Sequence, residues 1–416
     1  MGTTAITNAS IFDGTGAEPY GPASLVIEDD RITAIGAGVE VPLGAEVIDA
    51  AGAHVLPGLI DSHLHLFGIP GYDFISWAME SPMLHAIRSA IEVQEILGAG
   101  FTLIRDCGSD NSLQVKKAIE EGKINGPRMR AVGRFIAETG GIPDLPFIRL
   151  EWMQGPEPPG FVRLADGVGE VAKAAREQIR GGATDIKMGV TGGIDPSFIR
   201  AESAWTGAEI EAAAHVAHNV GALLSCHSNT LIGESCVGMQ RAIKAGADSI
   251  EHGYWIDTET LEMMATHGVT WNPNVGYLSR AVERADDLDL NPVYVERCQM
   301  ALDSYADTLP RSQSIGVKRA IGSDFLGTPA DPHGEEAYEL EVQTRLGLSN
   351  MDALVTATRG NAEFFRIDDD FGTLEVGKVA DLLIIDGNPL DDVRILQERH
   401  RIKRVMIGGE TRITRP

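Results

Sequence analysis

The chain has 416 residues, 43% of them hydrophobic and 23% charged, a balance that fits a soluble globular protein and argues against disorder. Its 35 Lys and Arg face 60 Asp and Glu, a net charge of −25, and a surface that acidic repels phosphate backbones and anionic membranes, so nucleic-acid and membrane roles are disfavoured from the start. Single cores stop growing near ~250–300 residues, so one large domain with a satellite is expected.

Residues 1–56 read as short alternating strands, with 24–28 and 31–35 flanking Asp29-Asp30 as a hairpin. The apolar runs 380–385 and 402–407 repeat that style. Neither end buries a β core alone, so the prediction is one small β-sandwich made from 1–56 and 366–416, with the middle inserted between them. In 57–365 the rhythm changes. Helical stretches end in glycine-containing turns before short β-rich runs at 101–106, 185–188, 223–227, 249–252, 269–272 and 319–324. Adding 59–65 and 129–135 gives eight strands, which predicts an α/β fold, a (β/α)8 TIM barrel over 57–365. The stretch 137–166, with Pro143, Pro146, Pro156, Pro158 and Pro159, predicts a lid or binding loop, a plain surface excursion being the alternative.

Cys107, Cys226, Cys236 and Cys298 form no CxxC pair, which excludes a disulfide framework and a thiolate zinc site and suggests a reducing compartment. Residues 1–6 lack the basic and apolar segments of a signal peptide, and no run of ~18 apolar residues occurs. The expectation is a cytoplasmic protein.

Barrel catalysis sits at the C-terminal strand ends, which here carry His63, His65, Asp106, Lys187, His227, His252, Asn274 and Asp324. Four histidines, a lysine and an aspartate on one rim are each costly to desolvate without a partner. Metal coordination satisfies the histidines and the aspartate together. In His63-Leu64-His65 the two imidazoles alternate along a strand and can face one ion, although such a pair alone is more often a surface or hydrogen-bonded one. Lys187 is the odd member, because an ammonium repels a dication. It either points away as a structural residue or, as a neutral amine, captures CO2 to form a carbamate able to bridge two metals.

Pro57-Gly58-Leu59-Ile60-Asp61-Ser62-His63-Leu64-His65, Lys187, Cys226-His227, Glu251-His252-Gly253, Gly322-Ser323-Asp324 and the closing stretch 372–382 resemble the amidohydrolase superfamily. The likeness is greatest to the branch holding imidazolonepropionase-like proteins, prolidase-type dipeptidases, and ochratoxin, phenylurea and thiocarbamate hydrolases. The resemblance implies two divalent metal ions, zinc ahead of cobalt or manganese. His63, His65 and Asp324 would hold the more buried one, His227 and His252 the outer one, and carboxylated Lys187 would bridge them together with a hydroxide. Asp324 would act as general base and then acid. Lys187 and Thr230 argue against the deaminase pattern, which lacks the lysine and has a glutamate at the second position. Related dipeptidases present a histidine and a tyrosine to the substrate α-carboxylate where this chain has Ile142 and Asn229. The first choice is therefore a linear amide, carbamate or urea with an apolar acyl or aryl group. An Xaa-Pro or Xaa-amino-acid dipeptidase is the alternative, with Arg149, Arg163 or Tyr254 substituting at the carboxylate, and a catalytically silent scaffold protein is the alternative of another class.

Substrate contacts are expected from Ile142, Asn229, Trp152, Tyr254 and His333, with Phe135 as a further wall. Asp106 is expected to pair with a neighbouring arginine. His215 and His218 are read as solvated, His85, His267 and His400 as bland, and Cys226 as no nucleophile. The expected partners are a small-molecule substrate and further copies of the chain in a homo-oligomer.

Overall fold

Alternating apolar residues near the N-terminus build five strands, β1 (Thr3–Ile11), β2 (Tyr20–Glu28), β3 (Arg31–Gly36), β4 (Glu46–Asp49) and β5 (His54–Pro57). The middle supplies β6 (Leu59–Leu64), β7 (Phe101–Asp106), β8 (Arg128–Ala131), β9 (Phe135–Ala137), β10 (Val162–Leu164), β11 (Ile186–Gly189), β12 (Leu224–Ser228), β13 (Ser249–His252) and β14 (Thr270–Asn272). The last three are β15 (Leu382–Ile385), β16 (Ile402–Ile407) and β17 (Glu410–Thr414). This computed structural model describes residues 2–71, 73–155, 160–194, 204–230 and 235–416.

The two ends share one sheet, in the order β17-β16-β15-β5-β1-β2-β3, with β4 also on β1. At its centre β5 runs parallel to β1 and antiparallel to β15. Ile6, Leu25 and Ile32 from one end pack with Leu382, Ile384 and Met406 from the other. The β3 edge is met by the segment leading into β15, through Ile32 N to Lys378 O at 2.9 Å and Gly377 N to Ile32 O at 2.8 Å. The sheet thus folds over on itself, consistent with a small sandwich built from both termini.

The middle strands form two all-parallel sheets, β6-β7-β8 and β10-β9-β11-β12-β13-β14. Strands β6, β7, β11 and β13 are buried along their whole length, as parallel strands covered on both faces must be. Two sequence expectations are corrected here. Residues 129–135 are not one strand: Gly133 takes φ +71°, the Arg134 amide turns to Gln178 Oε1 at 2.8 Å, and the chain steps from β8 in one sheet to β9 in the other. Residues 319–324 form no regular strand either, only a bridge from Arg319 to Trp271. The amides of Ile321 and Ser323 donate to the side chains of Asn361 and Asp61 instead of to a neighbouring strand. The stretch still lies between β14 and β6, bonded by Ala320 N to Trp271 O (2.9 Å), Ser62 N to Ile321 O (3.0 Å) and Asp324 N to His63 O (2.7 Å). Gly322 is required there, because a Cβ would sit 2.5 Å from the His63 backbone nitrogen.

Between β6 and β7 run a short helix α1 (Phe74–Ala78) and a longer one, α2 (Pro82–Gly98). Ser81 caps α2, accepting from the Met83 amide, with proline in its first turn. Its inner face buries Val93, Ile96 and Leu97 against Leu64 and Phe101. No helix among the described residues is long and apolar enough to cross a membrane.

Candidate metal centre

Strand β6 delivers His63 and, one residue past its end, His65. Lys187 sits on β11, His227 on β12 and His252 at the end of β13. Asp324 enters from the irregular stretch beside β6. His63, His65 and Asp324 are buried and offer ligand atoms all within 4.8 Å of one another. Asp324 Oδ1 lies 3.3 Å from His63 Nε2 and 3.4 Å from His65 Nε2, and its Oδ2 lies 3.5 Å from His252 Nδ1. The rings of His227 and His252 stand 4.4 Å apart. His252, Asn274 and Asp324 all take positive φ (68°, 55° and 58°), so the backbone is bent into an unfavourable region where the strands end, as functional sites often require.

Three nitrogens here are buried without any hydrogen-bond partner: His63 Nε2, His252 Nδ1 and Lys187 Nζ. Orphaned buried polar atoms are rare because each forfeits its hydration. Divalent cations accepting the two imidazole lone pairs beside the Asp324 carboxylate would remove the deficit of the two histidines, leaving that of Lys187, and imidazole with carboxylate suits zinc, cobalt or manganese. The residues therefore fit a metal ion.

Protonation favours the same conclusion. Burial first, and the nearby Lys187 second, push His63 down to about 4 and His227 down to about 3. Burial first, and the neighbouring His227 second, hold His252 well below its usual range. Burial alone would raise Asp324, yet His63, His252 and His65 around it hold its carboxyl below the ordinary value. Neutral imidazoles beside an ionised carboxylate are the ligand-competent forms.

The remaining nitrogens are fixed from behind. His63 Nδ1 donates to Glu251 Oε2 at 2.6 Å, and His65 Nδ1 to the Gly108 carbonyl at 2.8 Å, which leaves each Nε2 facing the site. Glu251 is itself held by Arg105 Nη2 (2.8 Å), Ser249 Oγ (2.6 Å) and Asn272 Nδ2 (2.9 Å). Sequence reasoning missed this Arg105–Glu251–His63 chain. The available signal was an acid beside a predicted ligand on a strand with no exposed position. Asp106 is corrected: among the described residues it pairs with no arginine, and its carboxylate instead accepts from the amides of Leu66 and Gly108 and the hydroxyl of Ser109. His85 lies in α2 as expected, buried, stacked on Trp77 and facing Asp110 at 3.2 Å.

Above the polar floor opens a cavity of about 250 Å³. Its aromatic wall is formed by Phe67, Phe74, Trp77, Phe135 and Phe161, and Tyr254 and Tyr277 face the same space. The Phe67 ring centroid is 4.6 Å from that of Phe161 and 4.9 Å from those of Trp77 and His65. The loop 137–166 contributes Ile142, Pro143, Leu145, Phe147 and Phe161; its Pro156, Pro158 and Pro159 lie outside the described residues. Of the expected contacts, Ile142, Tyr254 and Phe135 line the cavity. Asn229 lies behind it, Oδ1 accepting from Gly253 and Tyr254 and Nδ2 facing His227 Nε2 at 3.1 Å. His333 is off the wall, bonded to Glu336 and to the His65 carbonyl. Trp152 is also off it, half exposed beneath Arg149. Arg149 pairs with Glu151, and Arg163 with Glu177. Among the described residues no arginine or lysine lines the cavity.

The profile of the amidohydrolase family matches residues 54–412. Ochratoxinase from Aspergillus niger is 28% identical over 98% of this chain and 86% of its own length. Its crystal structure superposes with a TM-score of 0.87 at 27% identity, covering 100% of this chain and 96% of that one. A prolidase solved with N-methylphosphonate-L-proline gives 0.89 at 27% identity over the whole of both chains. A Xaa-Pro dipeptidase with methionine bound in its active site gives 0.83 at 29% identity, covering 98% and 99%.

Proposed function

Because the chain belongs to the amidohydrolase family, and so is a metal-dependent hydrolase acting on C–N bonds, we propose that it cleaves linear amides, carbamates or ureas bearing an apolar acyl or aryl group, using two divalent cations, zinc foremost. The frame we take for it is a (β/α)8 barrel over 57–365 with a sandwich of 1–56 and 366–416. Four free cysteines, all buried, support a reducing, cytoplasmic setting.

His63, His65 and Asp324 would hold one cation and His227 with His252 the other, with Lys187 as a carbamate between them. Bound there, the cations supply Lewis acidity toward the scissile carbonyl and water that ionises near neutral pH. Asp324, kept ionised, takes the proton of the attacking water and delivers it to the leaving nitrogen. Glu251 keeps the His63 tautomer fixed throughout. Phe67, Trp77 and Phe161 seat the apolar group and exclude bulk water, and burying an aryl ring there contributes about 2–3 kcal/mol of binding.

The observation that carries the substrate class is the aromatic and aliphatic wall above the histidine and aspartate floor, with no arginine or lysine among its described residues. A free carboxylate buried against it would be desolvated without a counter-charge. Metal-loaded protein should release amine from aryl carbamates, phenylureas and uncharged N-acyl anilides at least ten times faster, in kcat/KM, than from dipeptides. Hydrolysis of dipeptides alone would replace this reading with the dipeptidase one that the prolidase likeness suggests. Asp324→Asn should keep metal better than His63→Ala yet turn over poorly, and unchanged kinetics there would remove the acid–base role.

A further inference from the structure

Six of the eighteen exposed large apolar side chains among the described residues fall between positions 75 and 91: Ile75, Met79, Met83, Leu84, Ile87 and Ile91. On α2, Met83, Ile87 and Ile91 recur every four residues, the spacing of one helix face. No unpaired charge interrupts the stripe, because Arg88 turns to Glu80 Oε2 at 2.6 Å and to the Gly68 carbonyl at 3.0 Å. This is the face opposite to the one that packs on the core, and an uncharged patch of that size is unusual on a monomer.

We propose that this face is where a second copy of the chain docks, about a two-fold axis, with α1 and α2 of one copy against the same elements of the other. Area supports it. At 38% to 77% exposure, six side chains of this size present on the order of 700 Å² per copy, so a two-fold pair buries on the order of 1,400 Å², inside the range of about 1,200–2,000 Å² found for stable interfaces. Charge selects the same face. Each copy carries −25, and like-charged bodies approach best across a surface without net charge, as here where Glu80 and Arg88 neutralise each other in a 2.6 Å pair. A two-fold contact is also self-complementary by construction, so one apolar stripe suffices for both sides.

The contact bears on the cavity. Ile75 on the outer side of α1 and Met79 just past its end are exposed, while Phe74 and Trp77 on its inner side line the cavity. Docking would clamp a five-residue helix that on its own is too short to be stable.

Sedimentation velocity on the full chain should give a particle of two chains or a multiple, against 44.6 kDa for one. Met83→Glu with Ile87→Glu should at least halve that mass, because it sets four carboxylates across the axis, while Val237→Glu, at an exposed apolar site elsewhere, should not. Ile91→Gln, a milder change, should raise the dissociation constant about tenfold and serves if the double variant fails to fold. A wild type at single-chain mass at ~50 μM overturns the proposal, whether or not it then floats with phosphatidylcholine vesicles. So does an oligomer whose mass and dissociation constant ignore both variants. Amide exchange of Trp77 and Ala78 should quicken at least tenfold in the double variant, and unchanged exchange would overturn the link to the cavity.

Discussion

Glu251→Gln tests whether the buried acid behind His63 fixes a metal ligand. Glu251 accepts four hydrogen bonds: Arg105 and Ser249 on Oε1, His63 and Asn272 on Oε2. Glutamine keeps one of those oxygens and turns the other into a donor. With the NH2 toward His63, the imidazole must shift its proton to Nε2, the atom that faces Asp324, and can no longer ligate. With the NH2 toward Arg105, a guanidinium with no exposed side-chain surface loses the carboxylate it pairs with. Either way the variant lacks the charge that balances Arg105, and breaking a buried pair from one side costs about 3–5 kcal/mol. For a chain of 416 residues the unfolding entropy is about 0.9 kcal/mol per kelvin, so the midpoint should fall by about 3–6 °C. Metal affinity should fall by roughly 10–100-fold. Calorimetry of the metal-free protein and a chelator competition titration measure the two separately. A variant with wild-type affinity and a midpoint within a degree of wild type would show that the Arg105–Glu251–His63 chain fixes nothing.

Lys187→Met removes a buried side-chain nitrogen that has no hydrogen-bond partner, so the metal-free fold should be unharmed or firmer by about 1–2 kcal/mol. Bound metal should fall from two ions per chain to about one by elemental analysis, and two retained ions with full turnover would refute the bridging role. In metal-free protein, His63 and His227 stay neutral down to about 4 and about 3, mainly through burial, against ~6.5 when unfolded. Between pH 6.5 and 4 only the unfolded chain takes up their protons, so this stability is present above 6.5 and is lost as pH falls. Melting curves across that window should show the decline, with a slope smaller by about one proton in His63→Gln; a flat profile contradicts the assignment. Gly322→Ala drives a Cβ to 2.5 Å from both His63 Cβ and its backbone nitrogen and should yield insoluble or metal-free protein. Gly169→Ala, where nothing lies within 4 Å, should express like wild type.

Much of the frame was legible because its signals are local. Glycines after helices and short β-rich runs marked most of the parallel strands, and His63-Leu64-His65 stood out as a candidate ligand pair once read together with the residues at the other strand ends. The split at Gly133 and the irregular 319–324 were not legible, since both depend on side chains distant in sequence, Gln178, Asn361 and Asp61, taking over backbone partners. The same holds for the cavity wall. Trp152 was expected on the wall and Phe161 was not, and only the path of the loop decides that Phe161 faces the cavity and Trp152 solvent. Asp106 sits beside Arg105 in sequence, but strand alternation sends the two to opposite sides, so the arginine reaches Glu251 and the aspartate ties down a turn.

The placement of β5 between β1 and β15 has a consequence for biosynthesis. A ribosome delivers the first partner early and the second only after the whole middle of the chain. At ~5–20 residues per second, the ~325 residues from Pro57 to Leu382 take about 16–65 s to emerge. Throughout that interval an apolar strand edge stands open beside a nascent polypeptide, a template for pairing with the wrong neighbour. Yield in a host cell should therefore respond to translation speed and chaperone supply more than the stability of the finished molecule would suggest.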